Sequence, residues 1–464
     1  MKRILLNAAL LCLASGFCVA PFANAAVTFL ANGTLTGSSA GYYTDLSGLN
    51  YALENGVSAS LLGGLGSGIA YASNNTFLAL PDRGPNAVSF DSAIDDTASY
   101  VNRFHMIHMN LQVNTGAGLP FLLTPTLLST TLLWNGTSLV YGTGTGLGVG
   151  SGVPPINGPN QFYFTGRSDN FDAGQNSSNP ANARYDTEGI RASGDGKHVY
   201  ISDEYGPYVY EFSRATGQRT RTFRLPAHLF VSNLSPVGNT EIANNTSGRT
   251  ANKGMEGLAI TPDNKTLVGI MQAAVIQDNL QGGRAKKVLR IVTIDIASGQ
   301  WTHEYAYLLT TGSGVSEIVA INQHEFLVDE RDGSGLGNGD AAVVKQLFKI
   351  DLAGATDVSN MDGLTAASNA VSKTLFLDVV AILNAAGIPS TQIPAKLEGL
   401  AFGPDVTYGV PMHTLWVAND NDFVQDYNGV MNSNPNQFYV FGFTSADLGG
   451  SVYLPQIFSN SSGR

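Results

Sequence analysis

Past the first sixty or so residues, apolar and polar positions fall into short alternating or wholly apolar runs rich in Val, Ile, Leu, Phe and Tyr. Turn formers punctuate them: "GDGK", "ATGQ", "TPDNK" and "ASGQ". Runs of this length and composition between such turns predict strands, and few stretches carry a helical period. The strands come in sets of four. One set reads "TEGIRAS", "KHVYISDE", "YVYEFSR" and "RTFRLP", and a second reads "MEGLAIT", "TLVGIMQA", "VLRIVTIDI" and "WTHEYAYLL". A third runs "SEIVAIN", "EFLVDERD", "KQLFKIDL", "TLFLDVV", and a fourth "LEGLAFGPD", "TLWVANDND", "NQFYVFGF", "SVYLPQIF". An earlier, more degenerate set is "GSGIAYAS", "TFLALPDRG", "RFHMIHMNL", "TLLSTTLLW".

Four-stranded modules in series predict an all-β fold, a β-propeller of antiparallel four-stranded blades. The units begin near Glu188, Glu256, Glu317 and Glu398, 68, 61 and 81 residues apart. The 120 residues between Gly68 and Glu188 leave room for two units, so six blades are expected; five or seven also fit. A large β-sandwich is the competing architecture, but it gives no reason for an acid to recur at each unit's start.

That recurrence carries the candidate chemistry. First strands of propeller blades line the axis, so Glu188, Glu256, Glu317 and Glu398 should converge. Second strands end in Asp82-Arg83, Asp203-Glu204, Asp329-Glu330-Arg331-Asp332 and Asn419-Asp420-Asn421-Asp422. Antiparallel pairing puts those ends at the same rim as the first-strand starts. Carboxylates gathered there repel one another and call for a cation. A donor set of carboxylate and amide oxygens without Cys and with few His selects a hard ion: Ca²⁺ first, then Mg²⁺ or Mn²⁺. Glu188, Glu256, Glu317, Glu398, Asn419 and Asp420 are the expected metal ligands. Asp203 or Glu204 is the expected general base, and Arg83 or Arg331 the clamp for an anionic substrate. Each glutamate could instead hold the backbone of the neighbouring blade. The loop "RDGSGLGNGD" has a calcium-loop composition without an established spacing. Arg167 stands beside an acid and offers another clamp or a plain ion pair. "GSSAG" lacks the strand-turn-helix setting of a nucleophile elbow, and His105 and His108 fall on opposite strand faces.

Composition narrows the classes. The first 25 residues carry Lys2 and Arg3, an apolar stretch and "ANA", the form of a cleaved secretory signal. Residues 26–62 are expected to lend a strand to the propeller, and 63–464 to form it. Both cysteines, Cys12 and Cys18, lie in the signal, so disulfides and thiolate chemistry are excluded from the mature chain. Removing the signal takes the net charge from -11 to -13, which disfavours nucleic acid. A periplasmic or secreted monomer without a membrane anchor is expected.

The blocks "LPDRGPN", "DTEGIRASGDGKHVYISDEYGPYVYEF", "GMEGLAITPDNKTL", "EFLVDERDG" and "KLEGLAFGPD…TLWVANDND" together resemble the phytase-like family, whose label is "esterase-like activity of phytase". The resemblance implies an exported propeller with a metal-dependent phosphoesterase or esterase activity and leaves the substrate open; a small anionic ester is the substrate that the acids and arginines lead one to expect. The third unit departs from the pattern, with "SEI" where the others have "EG" and an aliphatic residue. Two other functions fit the residues: a ligand- or partner-binding propeller with structural calcium, and a sugar-lactone hydrolase.

Overall fold

A computed structural model describes residues 27–87, 96–142 and 151–459; the expected signal segment lies outside them. Five four-stranded antiparallel sheets account for most strands. Blade 1 comprises Gly68–Ser73, Thr76–Leu80, Arg103–Val113 and Phe121–Leu132. Blade 2 comprises Thr187–Ala192, His198–Asp203, Val209–Ser213 and Arg219–Thr222. Blade 3 runs Met255–Ile260, Thr266–Met271, Val288–Asp295 and Gln300–Leu308. Blade 4 runs Gly314–Ala320, Glu325–Arg331, Lys345–Asp351 and Lys373–Asp378. Blade 5 has Lys396–Tyr408, Val410–Asp420 and Asn436–Phe443, and its outermost strand is Thr28–Leu35 from the other end of the chain.

The inner strands follow one another round the axis and close on themselves, blade 5 against blade 1. The wheel is therefore five-bladed, one of the counts the spacing allowed, and not the six that the long first interval favoured. That interval is spent differently. Blade 1 has unusually long outer strands, and the stretch after it forms only the short pair Trp134–Asn135 with Phe162–Tyr163 plus single bridges such as Val140 to Asn182. "SVYLPQIF" is a second correction: Ser451 to Phe458 form no strand, because Thr28–Leu35 already pairs with Asn436–Phe443.

Each blade buries both faces, which is why an inner strand such as Met255–Ile260 is buried at every position. Five apolar clusters fill the five blade-to-blade gaps. Ile190, Val199 and Ile201 of blade 2 meet Leu78 and Phe104 of blade 1, and Leu30 of the closing strand packs with Ile69, Phe77 and Trp416 between blades 5 and 1. Ser451 to Ser459 lie across the mouth opposite the acids. There Leu454 N–H donates to Ile321 C=O, Ile457 N–H to Pro262 C=O and Ser459 N–H to Gly194 C=O.

Candidate metal centre at the propeller mouth

Each of the four glutamates sits at a break in its ladder. Register slips between Thr187 and Ile190, Met255 and Gly257, Val315 and Ile318, and Leu397 and Gly399. A bulge leaves one residue unpaired and re-aims its side chain. Here it turns Glu188, Glu256 and Glu398 toward the mouth of the axis. The glycine that follows lets the blades approach: a Cβ at Gly257 would lie 2.8 Å from Ile318 N, and one at Gly189 2.7 Å from Leu258 N. The repeated Glu-Gly is thus a bulge that presents an acid, followed by a blade contact with no room for a side chain.

Second-strand ends bring in the rest. Three groups have ligand oxygens within 4.8 Å of one another: Glu188, Glu204 and Glu256; Asp82, Asp186 and Glu188; and Asp82, Asp420 and Asp422. Glu188 and Asp82 belong to two groups each, so the acids form one continuous arc. Among the described residues the arc, with Glu398, holds eight carboxylates, and three cationic side chains pair with them: Arg83, Arg331 and Lys396.

The cations are unevenly shared. Lys396 Nζ sits inside the third group, 2.7 Å from Asp420 Oδ2, 2.5 Å from Asp422 Oδ1 and 3.8 Å from Asp82 Oδ2, so an ammonium already fills it. Its own pKa is driven well up by those acids despite burial. Arg83 Nη1 pairs with Asp186 Oδ2 at 2.7 Å and also donates to Asn252. Arg331 donates to Glu398 and lies 3.9 Å from Glu256 Oε1.

No cationic side chain pairs with Glu188 or Glu204 among the described residues. Glu204 Oε1 and Glu256 Oε2 are buried and meet no N–H or hydroxyl donor, and the two carboxyls lie close enough for a carboxylic proton to bridge them. Glu188 Oε2 accepts from Ser67 Oγ at 2.5 Å. Burial, then repulsion from Glu256, Asp82, Asp186 and Glu204, pushes the Glu188 carboxyl well above the usual carboxylate range. Burial and Glu204 do the same to Glu256, against the pull of Arg331. Buried oxygens without donors, on carboxylates that repel one another, fit a hard cation: all-oxygen, anionic and closely spaced.

The other expected site residues lie as follows. Glu317 joins none of the three groups: its Oε1 accepts from Leu258 N–H and Ile318 N–H at 2.8 and 2.9 Å, and Arg191 pairs with its Oε2 at 2.9 Å. It pins blade 4 to blade 3, and the "SEI" variation marks that different part. Asn419 spends its amide on blade 5, accepting from Gln437 N–H and donating to Pro435 C=O. Asp203 accepts from the backbone N–H of Asp186, Tyr205 and Gly206, each at 3.0 Å, so it shapes its own loop; burial pushes its carboxyl up to about 7. Arg167 is buried in a pair with Asp169 and Glu54. His105 is buried against Thr130 and held well below the usual histidine range, at about 4, chiefly by burial. Asp186, Lys396 and Ser67 were not among the candidates. The first two stand two residues before Glu188 and Glu398, so strand alternation was the available signal.

Residues 60–423 match the sequence model of the family described as "Phytase-like: Esterase-like activity of phytase". This chain belongs to that family. An uncharacterized secreted protein of Arthroderma benhamiae is 29% identical over 309 residues, 60% of this chain and 58% of that protein, so the chain spans less than two-thirds of that relative. Among solved structures, glutaminyl cyclase of Myxococcus xanthus is similar at 11% identity and TM-score 0.35, with 90% and 99% of the two chains covered. Aldose sugar dehydrogenase of Streptomyces coelicolor, bound to PQQ, is similar at 14% identity and TM-score 0.31, covering 86% and 84%.

Proposed function

We propose that this phytase-like propeller is an exported, divalent-cation-dependent hydrolase of small anionic esters, phosphoesters first. The observation that carries the reading is the pair of buried, donor-free oxygens on Glu204 and Glu256 beside Glu188. Glu188, Glu204 and Glu256 would hold the ion, Ca²⁺ before Mg²⁺ or Mn²⁺. When bound, such an ion polarises an ester oxygen and lowers the pKa of water. Arg83 and Arg331, whose side chains are 17% and 14% exposed, flank the mouth and steady an anion. Asp82 is kept ionised because Arg83, Lys396 and hydrogen bonds outweigh its burial, and as a carboxylate it would orient the attacking water by accepting a hydrogen bond from it. Export is supported by the N-terminal stretch and by the secreted relative; among the described residues no helix is long and apolar enough to cross a membrane.

One observation favours a binding propeller with a structural cation: Glu188, Glu204 and Glu256 are only 6%, 2% and 3% exposed. The test is turnover of p-nitrophenyl phosphate, bis(p-nitrophenyl) phosphate, acyl esters and lactones after EDTA treatment and after Ca²⁺ return. The hydrolase reading expects activity that returns with the ion and falls at least about 100-fold in Glu256→Gln with the fold retained. A Tm that depends on Ca²⁺ without turnover of any ester would leave the structural cation.

A further inference from the structure

The end of the axis opposite the acids holds a cavity of about 100 Å³ to which every blade contributes. Tyr71, Arg191, Ile260, Val319 and Phe402 line it from blades 1 to 5 in turn, and the strap closes it with Tyr453, Gln456 and Phe458. Its walls are rich in rings. Phe402 packs on Tyr453 with centroids 4.5 Å apart, and Phe458 meets Tyr71 edge-on at 6.1 Å. An apolar cavity of roughly 150 Å³ holds benzene, so this one limits its occupant to a single six-membered ring.

Two polar groups interrupt the apolar lining. Arg191 is 5% exposed and its Nη atoms are committed. Nη1 donates to Ile69 C=O at 2.7 Å and Ile190 C=O at 2.6 Å, and Nη2 to Ile318 C=O at 2.9 Å beside Glu317 Oε2 at 2.9 Å. Its Nε–H meets no acceptor among the described residues. The Gln456 amide nitrogen donates to Ala192 C=O and Asn264 Oδ1 at 2.8 and 2.7 Å, and its Oε1 accepts no hydrogen bond among the described residues. Ala192 follows Arg191 in the chain, so both open groups stand on the blade 2 side of the cavity. Neither is among the sealed polar atoms of the interior.

An N–H that needs an acceptor beside an oxygen that needs a donor is matched by one hydroxyl. A bare hydrocarbon leaves both unpaired, and a carboxylate offers Gln456 Oε1 no donor. Charge points the same way: the cation in the wall is paired with Glu317, so an ionised occupant would be buried without a counter-charge. Four rings in the walls favour an aromatic occupant over a saturated one. We propose that the strap-covered end of the axis binds a neutral phenol-type molecule, its ring among those side chains and its hydroxyl between Arg191 Nε and Gln456 Oε1. The site lies at the other mouth from the acids and holds whether or not they hydrolyse an ester.

Fluorine NMR of the mature protein with 4-fluorophenol, fluorobenzene and 4-fluorobenzoate tests binding and its chemistry together. 4-Fluorophenol should bind at least about tenfold more tightly than either of the others. Gln456→Leu should weaken 4-fluorophenol about tenfold and leave fluorobenzene within about twofold, a split that a merely structural part for the strap would not produce. Ala320→Leu, at a half-buried position of the same lining, should weaken both ligands and serves alone should Gln456→Leu not fold. No binding of 4-fluorophenol, unchanged binding in both variants, or tighter binding of 4-fluorobenzoate would overturn the proposal.

Discussion

At the residue scale, Glu256-Gly257 shows how two adjacent positions divide the work. The bulge exposes the acid to the axis, and the glycine lies so near the next blade that a methyl group must displace backbone, with Ile318 N at 2.8 Å and Glu317 Cα at 2.9 Å. Gly257→Ala should therefore cost on the order of 2–3 kcal/mol in a urea melt. Gly158→Ala, where a Cβ meets nothing within 4 Å, should change stability by less than about 0.5 kcal/mol. Glu330 is a separate case. Hydrogen bonds from Lys373, Tyr307 Oη, Thr311 N–H and Gly312 N–H outweigh its burial and hold its carboxyl down at about 2. A depressed folded value means that the stabilisation is complete above the ordinary glutamate range and disappears as pH falls from there toward 2. Glu330→Gln should lose about 2 kcal/mol at neutral pH and show a flatter Tm profile below pH 4.5 than the wild type. Glu256-Gly257 and Glu330 differ in how far the sequence reveals their parts. A recurring Glu-Gly was legible as an axial acid. Adjacent acids such as Asp203-Glu204 and Asp329-Glu330 were not separable by eye, because neighbouring strand residues face opposite ways and only one of each can look inward.

At the element scale, four of the five blades were legible strand by strand, since both-face burial makes their inner strands nearly continuous buried runs and strong turns mark the outer ones. The closure was less so. Nothing in "SVYLPQIF" distinguishes an edge strand from an extended strap, and the deciding fact is that Thr28–Leu35 occupies the edge of Asn436–Phe443. Leu30, wholly buried between blades 5 and 1, ties that closing strand to the core. Leu30→Ala should cost about 2–4 kcal/mol and show as a lower urea midpoint. The strap has its own consequence. Tyr453, Leu454 and Phe458 wall a cavity of about 100 Å³ with Tyr71 and Phe402 at the far mouth. Deleting residues 451–464 should expose those rings and lower Tm, while Ca²⁺ affinity at the opposite mouth stays within about twofold.

At the scale of the whole molecule, the five-fold wheel sets how many acids meet, and the surplus of carboxylates over cations at one mouth decides what they need. Sequence reading located that mouth and most of its acids. It could not show that Lys396 neutralises one group from within, since its proximity to Asp82 depends on blades 1 and 5 meeting across the closure. The most direct measurement is a calorimetric titration of Ca²⁺ into metal-stripped mature protein, wild type against Glu204→Gln, with circular dichroism of both. Binding in the wild type, and at least a tenfold weaker constant in Glu204→Gln at unchanged fold, is the expected result. Equal affinity in the two proteins, or no binding of Ca²⁺, Mg²⁺ or Mn²⁺ to the wild type, would contradict it.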